Sequence, residues 1–387
     1  MKLSKKIQTV TPSLTLQITA KAKKLKAEGR DVISFGAGEP DFDTPACIKE
    51  KAIQALNDGM TKYTPATGLP QLKKRIAEKL SSQNGLSYDD SQIVVSCGAK
   101  HSLFNIFQVL LNEGDEVIIP APYWLSYPEM VKLAGGVPGT VDTTQDNAYK
   151  MTADQLKDSI TERTRVVIIN SPSNPTGSIY SADDLAALAK VVVENDILVV
   201  SDEIYEYLIY DGKKHVSIAQ GGDDIKERTI IVNGMSKGYA MTGWRIGYIA
   251  APQDIAKAVG TLQSHSTSNP TSFAQVGALG ALDCASADVS EMVKTFEKRR
   301  DLIMTELEKV SQLRVYRSQG AFYVFCDVSA TGLSAMDFAT RLLDEANVAV
   351  IPGKPFGCPN HIRLSFAISD DAIVKGVKRI KEWIESL

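Results

Sequence analysis

The segment around Lys237 carries the residue types best suited to chemistry. It reads Ser-Lys-Gly-Tyr-Ala-Met-Thr-Gly-Trp-Arg from 236 to 245 and follows an apolar run at 230–232. Burial and neighbouring cations lower the pKa of a lysine in such a position, which makes the amine nucleophilic towards an aldehyde. Arg245 supplies a fixed cation whose planar fork suits a phosphate. For an isolated pair, a surface lysine and a salt-bridged arginine would be the preferred interpretation.

Polar or glycine-rich clusters follow four other apolar runs as well. Gly98-Ala99-Lys100 follows 93–96, Trp124 follows 117–119, Asn174 lies in the turn after 166–169, and Asp202 and Tyr205 follow 197–200. Gly98 and Ala99 open a helix whose first amides carry no bulky side chain, an arrangement that suits a phosphate. Taken singly, Asp202 is typical of a turn or N-cap, Asn174 of a turn and Trp124 of a core aromatic.

The elements that position these clusters predict an α/β fold. The five apolar runs are rich in Val and Ile and alternate with helical patterns such as Ala182–Glu194. This favours a mostly parallel central sheet covered by helices, with ligands at the carboxyl ends of the strands. From about residue 285 the pattern changes to a charged helix (289–310), strands near 313–317, 321–327 and 361–366, and helices at 334–346 and 370–384.

We therefore expect two lobes. Residues 46–284 form the large domain and residues 285–387 a smaller α+β domain, which the N-terminal segment 1–45 joins. Near the N-terminus, Thr11 and Pro12 predict the start of an amphipathic helix and Gly29 its end. The N-terminal segment is assigned to the smaller lobe because a single helix has no core of its own.

Composition excludes several classes of protein. The formal net charge is -3 with 23% charged residues, so nothing indicates a nucleic acid or a membrane surface as partner. No run approaches the roughly 18–20 apolar residues of a membrane span. The five cysteines contain no CxxC pair, which predicts neither a disulfide framework nor a zinc site and favours the cytoplasm. The four histidines have no HExxH spacing, so no metal site is expected.

The stretch 236–248 resembles the cofactor-lysine motif of class I (aspartate-type) aminotransferases of fold type I, which use pyridoxal 5'-phosphate. The resemblance covers nearly the whole chain and is closest to the bacterial aspartate aminotransferase subgroup. It implies the fold type I architecture. It also implies that Lys237 binds the cofactor covalently and moves the substrate proton.

The resemblance further implies a set of cofactor ligands. Asp202 would pair with the ring nitrogen and keep it protonated, and Trp124 would stack on the ring. Tyr205 and Asn174 would contact the 3'-oxygen. The phosphate would be held by the helix start at Gly98, Ala99 and Lys100, by Ser236 and Arg245, and by Tyr63 from a neighbouring subunit. A residue that reaches the neighbouring site implies a homodimer.

Substrate contacts follow from the same resemblance. Arg363 lies among apolar residues, where an arginine needs a buried anion, and in the family it binds the substrate α-carboxylate. Gly38 would touch that carboxylate through its backbone, alongside Trp124 and Asn174. Lys100 and Thr15 would face a side-chain carboxylate. A lysine that the family links to prephenate is Thr11 here, which argues against prephenate.

The sequence thus predicts transamination between L-aspartate and 2-oxoglutarate in two half-reactions. The alternatives are an aminotransferase of aromatic, alanine or prephenate specificity, or a pyridoxal-phosphate-dependent lyase on the same fold. A non-catalytic cofactor-binding regulator is disfavoured because no basic DNA-binding segment is apparent. A nicotinamide-dependent dehydrogenase would suit the strand–helix alternation but lacks the GxGxxG motif.

Overall fold

The computed structural model describes residues 2–12 and 14–387. Its strands are β1 (Ile33–Ser34), β2 (Ile93–Ser96), β3 (Glu116–Ala121), β4 (Val137–Asp142), β5 (Thr164–Asn170), β6 (Leu198–Asp202), β7 (Thr229–Gly234), β8 (Gly247–Ala250), β9 (Arg314–Tyr316), β10 (Tyr323–Asp327), β11 (Val348–Ala349), β12 (Ile351–Pro352) and β13 (His361–Ser365).

The α-helices of the described residues flank these strands. They are α1 (Lys5–Gln8), α2 (Leu14–Ala27), α3 (Ala46–Asn57), α4 (Pro70–Asn84), α5 (Ala99–Leu110), α6 (Ser126–Ala134), α7 (Ala153–Ser159), α8 (Ala182–Glu194), α9 (Asp223–Lys226), α10 (Gln253–Ser266), α11 (Ser272–Cys284), α12 (Ser286–Leu307), α13 (Ala335–Ala346) and α14 (Asp370–Glu385). None of these helices combines the length and the apolar character that crossing a membrane requires.

The central sheet has seven strands in the order β2-β8-β7-β6-β5-β3-β4. Its neighbours are parallel except for β8, which runs antiparallel to β2 and β7. Along β5, Val166 and Ile168 belong to one hydrophobic cluster and Val167 and Ile169 to another. Both faces are buried because side chains alternate between them and helices cover each face. The predicted mostly parallel, helix-covered sheet is confirmed.

A second, four-stranded antiparallel sheet (β12-β13-β10-β9) lies with α12, α13 and α14. The N-terminal segment joins this region, because β1 pairs in parallel with β11 and Ile33 and Phe35 belong to the same core as Phe338 and Ile373. That core also takes in Tyr205 from the central region. The boundaries at 45 and 285 therefore stay predictions, because the core is continuous across the two regions.

The first helix differs from the sequence prediction. Thr11 and Pro12 lie outside it and α2 begins at Leu14, while residue 13 falls outside the described residues. The backbone N–H of Thr11 instead donates to Glu129 Oε2 at 2.9 Å. This tertiary partner satisfies the amide without a helix, which local sequence cannot reveal. The predicted end is accurate, since the helix stops at Ala27 and Gly29 has φ +88°.

A disulfide joins Cys47 at the start of α3 to Cys284 at the end of α11. The prediction from cysteine spacing was wrong for this pair. The two residues are 237 positions apart in sequence, yet their Cα atoms are 6.5 Å apart. The proximity arises from the packing of α3 on α11, about which short cysteine spacing carries no information.

Candidate active site

Lys237 follows β7, at the carboxyl end of the central sheet. Its Nζ donates a hydrogen bond to the carbonyl oxygen of Gly38, so the N-terminal segment closes over it. The pKa of Lys237 is lowered to about 8, mainly because burial disfavours the ammonium form. The carboxylate of Glu39 opposes this shift, whereas Arg363 and Arg245 add to it. The neutral, nucleophilic form of this amine is therefore far more populated around pH 8 than that of an ordinary lysine.

Asp202 ends the neighbouring strand β6 and is only 4% exposed. Its Oδ2 accepts a hydrogen bond from Tyr127 Oη at 2.6 Å, and its Oδ1 accepts one from the N–H of Ile204 at 3.2 Å. Burial raises the pKa of Asp202 to about 6, although both hydrogen bonds act in the opposite direction. Among the described residues no cation pairs directly with this carboxylate, and Lys237 attracts it only at longer range.

Arg363 on β13 reaches across to the turn that carries Asn174. Its Nη1 donates to Asn174 Oδ1 at 2.9 Å and its Nη2 to the carbonyl of Gly36 at 3.3 Å. The guanidinium lies 4.3 Å from the centre of the Tyr323 ring and is 3% exposed as a residue. Its Nε has no hydrogen-bond partner among the described residues. This is a buried cation with donor capacity left for an anion.

The start of α5 forms a cradle with Arg245. Gly98 has φ +89°, and a Cβ on it would collide with the Arg245 guanidinium, so only glycine lets the two approach. Arg245 Nη1 donates to the carbonyl of Thr242 at 2.9 Å. Lys100 Nζ lies 4.9 Å from the centre of the Trp124 ring. Burial, followed by the charge of Arg245, lowers the pKa of Lys100.

The space between Lys237, Asp202, Arg363 and the start of α5 is here called the crevice, and Tyr205 adjoins it with its ring centre 5.9 Å from Lys237 Nζ. Tyr205 is buried, with its hydroxyl 2.9 Å from that of Tyr323, and Ser236 is buried beside Lys237. The Thr15 hydroxyl is enclosed without a hydrogen-bond partner in the described part of the chain. Tyr63 is 91% exposed.

Sequence reasoning missed three residues that line the crevice. Tyr127 holds Asp202, Tyr323 lies between Tyr205 and Arg363, and Glu39 accepts a hydrogen bond from Thr242 at 2.8 Å. Only Tyr127 had a usable signal. It stands three positions after Trp124, which lies in the turn that leads into α6, and the Tyr127 N–H donates to the Trp124 carbonyl at 3.0 Å while the two rings meet edge to face at 5.3 Å.

A separate network of buried charges begins at the next residue, Glu203. Its Oε2 lies 2.9 Å from His215 Nε2, and its Oε1 accepts a hydrogen bond from Ser201 Oγ at 2.8 Å. Glu206 pairs with Lys79 in the same network, which we call the Glu203 network. Burial alone raises the pKa of Glu203, but its partners outweigh it and the net shift is downward. The charged groups of this network pair with one another, whereas His215 Nδ1 has no hydrogen-bond partner among the described residues.

Comparison with known proteins agrees with this geometry. Residues 30–380 match the family model described as aminotransferase class I and II. The chain belongs to this family. It is 53% identical over 388 residues to the aspartate aminotransferase of Bacillus sp. (strain YM-2), covering 99% of each chain. It is 48% identical over 390 residues to a probable aspartate/prephenate aminotransferase of Aquifex aeolicus (strain VF5), covering 100% of this chain and 99% of that one.

Solved structures give the same result for the fold. The aspartate aminotransferase of Thermus thermophilus with maleate superposes with a TM-score of 0.96 at 42% identity, covering 99% of each chain. The chain is therefore an aminotransferase with the fold type I architecture predicted from its sequence.

The crevice of this aminotransferase has the features that a phosphorylated aldehyde cofactor needs. The glycine at the start of α5 leaves backbone N–H groups open beside Arg245, which suits a phosphate. Asp202 offers a buried carboxylate without a full cationic partner, and Lys237 offers an amine of lowered pKa. Such a cofactor would use all three features. Its aldehyde would react with the amine of Lys237, its protonated ring nitrogen would face the carboxylate of Asp202, and its phosphate would lie at the start of α5 beside Arg245.

Proposed function

We propose that the chain is a pyridoxal-phosphate-dependent aspartate aminotransferase, converting L-aspartate and 2-oxoglutarate to oxaloacetate and L-glutamate. The observation that carries this proposal is the convergence of Lys237, Asp202 and Arg363 on one crevice. The three side chains come from β7, β6 and β13. An amine, a carboxylate and a guanidinium in this arrangement serve covalent binding, protonation of a ring nitrogen and capture of a carboxylate.

The cofactor ligands follow from the positions of these groups. Gly98, Ala99, Ser236 and Arg245 would hold the phosphate, Asp202 the ring nitrogen, and Tyr205 and Asn174 the 3'-oxygen, with Trp124 against the ring. Tyr63 is exposed, as expected of a residue that contributes to a second subunit. The proposed assembly is accordingly a homodimer whose sites are shared across the interface. We further propose that it works in the cytoplasm, where the Cys47–Cys284 disulfide would form only transiently.

When bound, pyridoxal phosphate supplies an electron sink that acidifies the substrate Cα–H bond. Arg363 binds the α-carboxylate through its free donors and thereby fixes the orientation of that bond, with the Gly38 backbone on the other side. Lys237 accepts the Cα proton as the neutral amine, a form that its pKa of about 8 makes more abundant than in an ordinary lysine. Tyr127 and the N–H of Ile204 keep the carboxylate of Asp202 oriented.

Selection of a dicarboxylate rests on Lys100 and Thr15. The ammonium of Lys100, 4.9 Å from the centre of the Trp124 ring, supplies a cation in addition to Arg363, and the Thr15 hydroxyl is enclosed without a partner of its own in the described residues. A second carboxylate would satisfy both groups. A smaller or aromatic side chain would leave the Lys100 charge uncompensated, which disfavours alanine and phenylalanine.

The test is the first half-reaction. L-Aspartate is added without an acceptor to enzyme purified with pyridoxal phosphate, and the visible absorption and the released oxo acid are measured. We expect loss of the visible absorption with stoichiometric oxaloacetate, followed by recovery and glutamate formation when 2-oxoglutarate is added. Faster reaction with phenylalanine or alanine, or release of pyruvate from aspartate, would contradict the assignment.

Prephenate is a second substrate to consider, because the Aquifex relative is described as a probable aspartate/prephenate aminotransferase. At the position that the family links to prephenate this chain has Thr11, whose backbone N–H is held by Glu129. We expect prephenate to be a poor acceptor compared with 2-oxoglutarate. Initial rates with the two acceptors, at equal concentration and with aspartate as donor, test this directly.

A further inference from the structure

Residues 63–69 form a loop, here called the display loop, between α3 and α4. Tyr63 at its start is 91% exposed, yet the residues after it are held firmly. Gly68 has φ +101°, and a Cβ on it would lie 2.7 Å from the side chain of Val95. The carbonyl of Thr67 accepts a hydrogen bond from the N–H of Val95 at 3.0 Å. The loop therefore lies directly against β2, with an exposed aromatic at one end.

Gln275 on α11 fastens the display loop from one side. Its Oε1 accepts a hydrogen bond from the N–H of Leu69 at 2.7 Å, and its Nε2 donates to Thr64 Oγ1 at 3.1 Å. The same Nε2 donates to the carbonyl of Pro270 at 2.9 Å. The side chain is fully buried. Both of its donor hydrogens and its acceptor are used, two of them on the loop and one just before α11.

Gln263 on α10 fastens the loop from the other side. Its Nε2 donates to the carbonyl of Ala66 at 2.6 Å and to the carbonyl of Val95 at 2.8 Å. Its Oε1 accepts a hydrogen bond from Asn105 Nδ2 at 3.2 Å. This residue is also fully buried. Two buried amides from adjacent helices are thus used to fix one short loop, and one of them holds the residue directly after Tyr63.

The hydrogen bonds that Gln263 and Gln275 make to the display loop are here called the glutamine clamp. Burying these two amides costs free energy, which suggests that fixing the loop has a function. Burying an amide requires every one of its hydrogen bonds to be satisfied, whereas an apolar side chain would fill the same space without that requirement. Within one chain, Tyr63 gains nothing from being held still, because it is almost fully exposed. A rigid loop lowers the entropy cost of a contact made outside the chain.

We propose that Gln275 is a positioning residue that acts in trans: by clamping Thr64 and Leu69 it orients Tyr63 towards the cofactor phosphate of the other subunit. This inference rests on the proposed function and its shared sites. Gln263 supports the same loop but also contacts β2 and α5, which lead to the subunit's own phosphate cradle. Gln275 is therefore the residue whose effect belongs to the neighbouring site.

The first experiment measures the affinity of cofactor-free enzyme for pyridoxal phosphate. Gln275→Met keeps the size of the side chain and removes its three hydrogen bonds, and we expect the dissociation constant to rise about tenfold. Gln92→Met is the matched control, because Gln92 also bonds backbone groups of the large lobe but does not touch the display loop. It should leave the constant unchanged. If Gln275→Met folds poorly, Thr64→Val removes one of the clamp contacts and should give a smaller rise.

A double-mutant cycle separates positioning from general destabilisation. Tyr63→Phe removes the hydroxyl that the clamp is proposed to orient. If Gln275 acts through Tyr63, adding Gln275→Met to Tyr63→Phe should weaken cofactor binding no further. Additive losses in the double variant would overturn the proposal, because they would mean that the two residues act independently.

A hybrid dimer tests the trans arrangement. One subunit carries Lys237→Ala and the other Gln275→Met, and differently tagged subunits allow the hybrid to be purified. Its single site with Lys237 receives Tyr63 from the subunit whose Gln275 is intact. We expect that site to regain wild-type cofactor affinity, measured by the visible absorption of the lysine-bound cofactor.

The outcomes distinguish this inference from the proposed function. A wild-type chain that fails to bind pyridoxal phosphate or to transaminate would overturn the proposed function itself. If the wild type is functional but the hybrid dimer binds pyridoxal phosphate as weakly as the Gln275→Met homodimer, only the trans role is overturned. An unaltered Gln275→Met homodimer would do the same.

Discussion

Asp202 and Glu203 are adjacent residues with similar burial and opposite electrostatic behaviour. They are 4% and 1% exposed. The pKa of Asp202 is raised to about 6, because burial outweighs two hydrogen bonds from neutral donors. The pKa of Glu203 is lowered, because burial is outweighed by His215 and two serine hydroxyls. The difference is that His215 pairs directly with Glu203, whereas no cation among the described residues pairs directly with Asp202 and Lys237 attracts it only at longer range.

The same contrast extends to the surroundings of each residue. In the Glu203 network, Lys79 contacts both Glu206 and Asn84, so its donors have partners within the chain. In the crevice, Arg363 Nε has no hydrogen-bond partner among the described residues. Buried polar groups are normally satisfied. The crevice therefore leaves a donor of a buried cation open to a ligand. In the Glu203 network the charged groups pair with one another, and only the ring nitrogen Nδ1 of His215 lacks a partner among the described residues.

The largest expected effect is on turnover, and it distinguishes Asp202 from Glu203. Asp202→Asn should lower turnover about a thousandfold, because an uncharged amide cannot hold a ring nitrogen in its protonated form. The same change should not destabilise the cofactor-free protein, since it removes a buried carboxylate that lacks a full partner. Glu203→Gln should give the reverse pattern, with lower stability and near-normal turnover. Steady-state kinetics and chemical denaturation of both variants decide this, and equal losses of turnover would break the distinction.

Removing a charge from the Glu203 network should reduce stability. Lys79→Met leaves Glu206 buried beside Asn84 without its cation, and we expect the free energy of unfolding to fall by about 3–5 kcal/mol. Urea titration of cofactor-free enzyme gives this value. The KM for aspartate should stay the same, and a changed KM would mean that the network and the crevice are not separate.

Ligand binding should stabilise the protein only through the crevice. Succinate at about a hundred times its dissociation constant should raise the free energy of unfolding by about 2.7 kcal/mol. Arg363→Gln should abolish this gain at the same concentration, because the principal cation for a carboxylate is lost. Lys79→Met should keep the gain despite its lower starting stability. Thermal unfolding with and without succinate measures it, and a full gain in Arg363→Gln would contradict the assignment of the anion site.

The smallest effect concerns pH. The pKa of His215 is raised above its ordinary value of 6.5, because Glu203 outweighs burial. The folded state therefore binds the imidazole proton more tightly, and this contribution to stability is present below pH 6.5 and lost as pH rises through the raised pKa. The free energy of unfolding of His215→Asn should decline less between pH 6.5 and pH 9 than that of the wild type. If the free energies of unfolding of the wild type and His215→Asn fall equally over this pH range, His215 and Glu203 do not form a charged pair.

Much of the crevice was predictable because its residues follow apolar runs. The strand at 93–96 and the helix at 182–194 have the predicted bounds, since β-branched runs and 3.6-residue periodicity are local signals. The edge strand β4 was not predicted: it contains Pro138 and Gly139 and is only partly buried. The Tyr127–Asp202 hydrogen bond, the Cys47–Cys284 disulfide and the glutamine clamp depend on which elements pack together, and no local pattern encodes that.

The central claim is that Lys237 is the reacting amine of the crevice. Its most direct test is Lys237→Ala, purified with pyridoxal phosphate and assayed with aspartate and 2-oxoglutarate. We predict that the variant has neither the visible absorption of a lysine-bound cofactor nor transaminase turnover, while Gln92→Met retains both. Full transamination by Lys237→Ala would contradict the account.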